Sequence, residues 1–278
     1  MSTPAHHHRN PEPPGTERTP RVVAARKLLR RAGRDRAGRF LVEGAQAVRE
    51  ALAVATVHEL FVTATAAERH PELVAAARAD GVRVVPVTDR VAEALSDTVT
   101  PQGLVAVCDL LDVPVRAALT GPPALVAVLV GVADPGNAGT VVRVADAAGA
   151  GAVLLAGDTV DPHNGKAVRA STGSVFHVPL ARDRDAAAVL EACRAAGLTL
   201  LAADGRGELD LHDPRAAAVL AGPTAWVFGG EAHGLARELA AAADHRVRVP
   251  IHGRAESLNL ATAAAVCLYA SAQASRTG

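Results

Sequence analysis

The chain has 278 residues, 49% of them hydrophobic, with 29 basic and 29 acidic side chains and therefore a formal net charge of zero. That supplies apolar material for one large domain or two modest ones, and it excludes a uniformly basic nucleic-acid coat while leaving room for a local patch. The three cysteines, Cys108, Cys193 and Cys267, lie far apart in apolar segments with no C-x-x-C and no histidine at metal spacing, so the reading is a reducing compartment and no metal site. No N-terminal apolar leader and no apolar run of membrane-spanning length occurs, which points to a soluble cytoplasmic protein.

Residues 1–20, rich in proline and without periodicity, read as a disordered tail, and the run His6, His7, His8 is assigned to that tail rather than to metal binding. From Arg21 to Arg39 there are eight basic residues and one acid, Asp35. Such clustering is the electrostatic footprint of phosphate contact, and Arg26, Lys27, Arg30, Arg31 and Arg39 are the candidate RNA-binding residues. "RFLVEGAQAVREALA" then reads as a strand, an acidic turn at Glu43 and Gly44, and a helix. "VHELFVT", "VRVVPV" and "GLVAVCDL" read as strands separated by helical "PELVAAARADG" and "RVAEALSDTV", an alternating α/β unit over 21–110. The proline-containing stretch 111–123 has no clear period and is expected to be an interdomain linker.

Over 124–278 the alternation resumes. "LVAVLVGV", "AVLLAG", "VFHVPL", "LTLLAAD", "AWVFGG" and "HRVRVPI" are short strands, with helical stretches near 138–149, 163–172, 184–196, 234–243 and 257–273. Strand and helix in that order imply a parallel sheet covered on both faces, whose ligands bind beyond the carboxyl ends of the strands. Three polar turns fall there. The first, Asp134-Pro135-Gly136-Asn137-Ala138-Gly139 followed by Arg143, is neither a dinucleotide fingerprint nor a P-loop. Its glycines permit close backbone approach, and Asn137 and Arg143 can reach a ligand. The second, "FGGEAHGL", encloses Glu231 between glycines. The third, "VPIHGRAESLNLATA", puts Arg254, Glu256, Ser257 and Asn259 before an alanine-rich helix. Ser257 would suffice as its N-cap, which leaves Asn259 without an evident structural task.

Together the three turns resemble the motifs of the SpoU (TrmH) family of SPOUT methyltransferases, which move a methyl group from S-adenosylmethionine to an RNA ribose 2′-hydroxyl. "DPGNAGTVVRVADAAGA" is similar to the first motif at its Asn, Gly and Arg, and "VPIHGRAESLNLATAAAV" to the third through Pro, Gly and Ser-Leu-Asn. "KAVRASTGSVFHVPL" resembles the segment between the first two motifs. The second motif departs from the family pattern in reading Gly230, Glu231, Ala232, while Glu231 and Gly234 keep register. "RKLLRRAGRDRAGRFLVEGAQAVREAL" resembles the substrate-binding domain of the ribosomal-RNA branch.

The resemblance implies a C-terminal SPOUT parallel-sheet domain with a deep trefoil knot, preceded by a small α/β domain like ribosomal protein L30e. It implies S-adenosylmethionine held by Gly229, Gly230, Gly234, Val249, Ile251 and Leu258, and a homodimer whose active sites draw on both subunits. Arg143 would handle or orient the reacting hydroxyl, with Asn137, Glu231, Ser257 and Asn259 positioning ribose, cofactor and the arginine. Arg169 joins the RNA-binding residues. His233 and His252 match no catalytic position, Trp226 and Tyr269 are assigned to the core, and Arg254 with Glu256 to a surface ion pair. Ribosomal RNA is the expected substrate, and a tRNA target or a catalytically silent RNA-binding dimer are the alternatives.

Overall fold

The computed structural model describes residues 14–121 and 123–277. The triple histidine and most of the expected tail lie outside them. The described part of that tail is ordered against the first domain, with the Gly15 N–H donating to the Pro86 carbonyl at 2.8 Å beside a bridge to Val87. By Pro20 the chain is already helical, because Pro at the first helical position has its φ preset and loses no needed donor.

The N-terminal domain runs α1 (Pro20–Lys27), α2 (Arg31–Ala37), β1 (Arg39–Glu43), α3 (Ala45–Val54), β2 (Val57–Thr63), α4 (Ala64–Arg69), α5 (Pro71–Ala79), β3 (Arg83–Val87), α6 (Asp89–Ala94) and β4 (Leu104–Asp109). Its four strands are ordered β1-β4-β2-β3, with β4 antiparallel to both neighbours and β2 parallel to β3. Phe40, Val42, Leu60 and Leu104 fill one face, and Leu41, Phe61, Val105 and Val107 the other. The alternation expected for strands covered on both sides is therefore satisfied by two separate apolar layers.

The remainder comprises α7 (Val115–Ala118), β5 (Leu125–Val130), α8 (Pro135–Ala148), β6 (Ala152–Ala156), α9 (Gly165–Ser171), β7 (Leu180–Asp183), α10 (Ala186–Ala195), β8 (Thr199–Ala203), β9 (Leu209–Asp210), α11 (Pro214–Ala221), β10 (Thr224–Gly229), α12 (Arg237–Ala242), β11 (His245–Arg248) and α13 (Leu260–Thr277). Seven parallel strands are ordered β7-β6-β5-β10-β8-β11-β9. Central β5 is buried along its whole length, which is why it reads as an unbroken apolar run. Trp226 of β10 is fully buried, stacks on Phe228 and donates from Nε1 to Ser271 Oγ at 2.9 Å.

Three further expectations change besides that of the tail. The segment 111–123 is more than a linker: Asp112 forms a bridge with Leu180, Val113 donates to the Leu180 carbonyl at 2.9 Å, and α7 follows. "VFHVPL" starts as a 3₁₀ turn, Ser174–Phe176, and the strand begins only at Leu180. The last helix begins at Leu260, three residues later than expected.

A buried ion network joins the domains. Arg34, 3% exposed, places Nε and Nη2 each 2.7 Å from Asp161 Oδ2 and donates from Nη1 to the carbonyls of Leu28 and Leu29. Arg182 pairs with Asp161 at 3.3 Å, with Asp112, and with Asp35 at 3.6 Å. Burial by itself would raise the Asp161 carboxyl, but His163 and the Arg34 charge hold it far below the usual carboxylate range. Phe40 of β1 lies edge-on against His163, whose Nε2 accepts from the Leu111 N–H at 3.1 Å. A second tie is His177, with Nδ1 3.0 Å from Asp146 and Nε2 3.2 Å from Glu50 of α3.

Two predictions follow from this junction. Arg34→Met leaves the Asp161 carboxylate buried without its main counter-charge, so urea unfolding should lose about 3–5 kcal/mol; an Arg34→Met, Asp161→Leu double variant should recover most of it. Asp146 and Glu50 raise the His177 pKa above its ordinary value. A raised histidine contributes its full stabilisation below its unfolded pKa, near 6.5, and loses it as pH climbs through the folded value. Thermal denaturation should therefore separate wild type from His177→Gln more at about pH 6 than at about pH 9.

Candidate active site

The carboxyl ends of β5, β10 and β11 deliver the three polar turns to one edge of the sheet. At the first, Asp134 caps α8 by accepting from the Asn137 N–H at 2.8 Å, and Lys166 Nζ reaches Asp134 Oδ2 at 2.5 Å. Those bonds hold the Asp134 carboxyl below its ordinary pKa. Capping turns the Asn137 side chain toward the other two turns. Its Nδ2 donates to Glu231 Oε1 at 2.7 Å, and its Oδ1 accepts from Asn259 Nδ2 at 3.1 Å.

Asn259 does have a structural task. Its Oδ1 accepts from the N–H groups of Ala261 and Thr262 at 2.9 and 3.3 Å, so Asn259, not Ser257, is the N-cap of α13. One amide therefore starts the helix with its oxygen and binds Asn137 with its nitrogen. Glu231 also accepts from the Ala133 N–H at 3.4 Å. Partial burial would raise its carboxyl, yet the hydrogen bonds from Asn137 and from backbone N–H groups keep it ionised below its ordinary pKa.

The glycines of the second turn are required by contact. A Cβ on Gly229 would lie 2.2 Å from the Gly234 carbonyl carbon, and one on Gly230 would lie 2.4 Å from the Gly131 oxygen. With no side chain in the way, the turn folds back on itself through the Gly230–Gly234 bridge and closes one wall of a cavity of about 880 Å³. Gly229, Gly230, Gly234, Val249, Ile251 and Leu258 all line it, as do Glu231, Ser257 and Asn259. Asp204, Asp210, Arg248 and Glu256 line it too. Sequence reasoning missed the first three, although Asp204 ends the strand "LTLLAAD", where a parallel sheet places ligand contacts.

Arg143 is not brought to that wall. It is exposed on α8, and its Nη1 donates to Thr172 Oγ1 at 3.3 Å. Of the basic candidates, Arg26, Lys27 and Arg30 are exposed, Arg31 is exposed beside Asp35 at 3.7 Å, and Arg39 is half-buried beside Asp109 at 3.5 Å. Arg169 departs from the RNA-contact expectation: it pairs with Glu43 at 3.2 Å and with Asp97, so two carboxylates of the first domain already occupy its guanidinium. Ser171 is buried and bonded to the Val168 carbonyl. Tyr269, expected in the core, is 51% exposed. Arg254 and Glu256 are both exposed and make no ion pair with each other. His233 and His252 are exposed. The three cysteines are buried and unpaired, their thiols pushed up to about 12 by desolvation. No group of side chains suited to a metal ion occurs among the described residues, and none of their helices is long and apolar enough to cross a membrane.

The sequence profile of the SpoU rRNA Methylase family matches residues 124–269, which contain all three turns, and that of the MRM3-like substrate binding domain matches residues 19–106. The chain belongs to the SpoU rRNA methylase family. This SpoU methylase is 31% identical over 245 residues to the 23S rRNA (guanosine(2553)-2'-O)-methyltransferase RlmP of Bacillus subtilis, covering 88% of the chain and 92% of that relative. Its fold matches the SpoU methyltransferase AviRb of Streptomyces viridochromogenes in complex with AdoMet, with a TM-score of 0.81, 29% identity and coverage of 93% and 100% of the two chains. An AdoMet-bound rRNA methyltransferase from Sinorhizobium meliloti matches with a TM-score of 0.78, 32% identity and coverage of 91% and 94%. The mixed α/β architecture with a parallel-sheet domain is thus that of SPOUT methyltransferases.

Asn259→Ala removes both the cap of α13 and the bond to Asn137. Chemical denaturation should show a loss of about 1 kcal/mol or somewhat more, and Asn259→Asp, which keeps the capping oxygen, should recover the capping part.

Proposed function

We propose that this SpoU methylase transfers the methyl group of S-adenosylmethionine to a ribose 2′-hydroxyl of large-subunit ribosomal RNA, as a cytoplasmic homodimer. The observation that carries the reading is one glycine-walled cavity lined by the second and third turns, with the first turn tied to both of them through Asn137. Gly229 and Gly230 let the second turn pack against the backbone of Gly234 and Gly131, where a Cβ would collide, and the resulting main-chain wall suits close packing of an adenosyl group.

Bound there, S-adenosylmethionine supplies a methyl on a cationic sulfur that departs as a neutral thioether, so departure calls for neither acid nor metal. What this chain must supply is alignment, and removal of the hydroxyl proton to water. Gly229, Gly230, Gly234, Val249, Ile251 and Leu258 hold the cofactor, while Glu231, Ser257 and Asn259 line the same space. Arg143 orients the hydroxyl and offsets the negative charge that grows on its oxygen, in preference to acting as a base. Since Arg143 stands apart from the cavity of its own subunit, Arg143 of the partner subunit serves it in the dimer. Arg26, Lys27, Arg30 and Arg31 on the first domain contact RNA phosphate, with Arg39 weakened by Asp109. With aromatics only 2% of the chain, RNA is read by shape and phosphate in preference to base stacking. A deep knot formed around the second and third turns completes the reading.

The test is transfer of labelled methyl from S-adenosylmethionine to ribosomal RNA and to bulk tRNA, with mapping of the product. One ribose methyl on a ribosomal site is expected, with kcat lowered roughly hundredfold or more in Arg143→Ala. Cofactor binding with no transfer to either RNA would leave a silent RNA-binding dimer in its place, and transfer to tRNA alone would change the substrate.

A further inference from the structure

Thr172 has the backbone conformation least suited to its type. Its φ is +51°, and among the described residues it is the one non-glycine with a positive value. A β-branched side chain crowds the backbone there, so such a residue persists where its surroundings impose the conformation. What the conformation achieves is to end α9 and aim Oγ1 at Arg143, whose Nη1 donates to it at 3.3 Å.

The surroundings that impose it belong largely to the N-terminal domain. Just before the turn, Arg169 pairs with Asp97 and with Glu43, and Ser96 and Thr98 hold Glu43 at 2.7 and 3.0 Å. Just after it, Gly173 packs so closely on Glu50 of α3 that an added Cβ would lie 2.7 Å from Glu50 Cγ. Glu50 in turn reaches His177, which bonds Asp146, one turn beyond Arg143 on α8. The arginine is thus flanked on two sides by contacts that originate in the other domain.

We infer that Thr172 is a positioning residue for Arg143, and that the N-terminal domain acts on methyl transfer through the α9 turn that carries it. The inference rests on the reading of Arg143 given above. Thr172 touches no reacting atom; its hydroxyl restricts the guanidinium to one direction before RNA arrives, and the docked domain keeps the turn from relaxing. The domain therefore contributes to turnover as well as to RNA affinity, since its displacement would release the arginine.

The experiment is steady-state methyl transfer to ribosomal RNA by the full chain, comparing wild type with Thr172→Gly, Thr172→Ser, Arg169→Gln and Arg143→Ala, each accompanied by a thermal melt. Glycine accepts the positive φ without crowding, so a role confined to shaping the turn would leave Thr172→Gly fully active. We expect it to lose about tenfold in kcat, the worth of a hydrogen bond to a charged group, with KM for S-adenosylmethionine unchanged and a melting temperature that does not fall. Thr172→Ser, which keeps the hydroxyl, should restore kcat, and Arg169→Gln should lower it in the same direction as glycine does. Wild-type kcat in Thr172→Gly, together with a deep loss in Arg143→Ala, would overturn the inference and leave the reading of Arg143 standing. Equal losses in the glycine and serine variants would overturn it as well. Wild-type kcat in Arg143→Ala would instead sink the reading on which it rests.

Discussion

The side-chain amide of Asn137 is the joint on which the site depends. It touches both other turns, giving a hydrogen to Glu231 and taking one from Asn259. An amide suits that position because it offers a donor and an acceptor on one rigid plane. A carboxylate there would face Glu231 with like charge, and an apolar residue would strand both partners. The joint is anchored from behind, since Asp134 fixes the Asn137 backbone and Lys166 fixes Asp134. In front of it, the glycine-to-backbone contacts of the second turn close the cavity that the third turn completes.

Arginine serves three distinct purposes in this chain, and its surroundings decide which. Arg34 is buried against a carboxylate and two carbonyls, where a planar fork with five donors can be satisfied and a lysine could not. Arg169 spans the domains between two acids. Arg143 stays exposed with a single hydroxyl partner, available for a ligand. The exposed Arg26, Lys27 and Arg30 lie on the same short stretch as Arg34, so one predominantly basic segment divides into a solvent-facing side and an inward strut.

Much of the fold was legible in the sequence because buried parallel strands are written as continuous apolar runs, as in "LVAVLV" and "AVLLA". The six residues that the family resemblance offered for the cofactor line one cavity, and that came from motif similarity, since no local period marks Val249, Ile251 or Leu258. The basic segment hid two short helices because seven or eight residues with few apolar positions carry no readable period. Ser257 and Asn259 are equally good caps by type, and only the path of the third turn selects Asn259. The ion pairs of Arg169 and of Arg34 were illegible for one cause: Glu43 and Asp161 lie 126 and 127 residues away in sequence, beyond the reach of any local pattern. Tyr269 sits among apolar neighbours on α13 and still faces outward, bonding the Ala147 carbonyl at 3.5 Å, because a helix has two sides whatever its composition.

The central claim is that Asn137 holds three turns together as one S-adenosylmethionine site. Calorimetric titration of S-adenosylmethionine into wild type and Asn137→Ala tests it most directly, because it reads the cavity without requiring RNA or turnover. The account predicts one cofactor per wild-type chain and an affinity about tenfold or more weaker in the variant, with the fold retained by circular dichroism. Equal affinity in the two proteins would contradict it, since the cavity would then keep its shape without the joint that is said to make it.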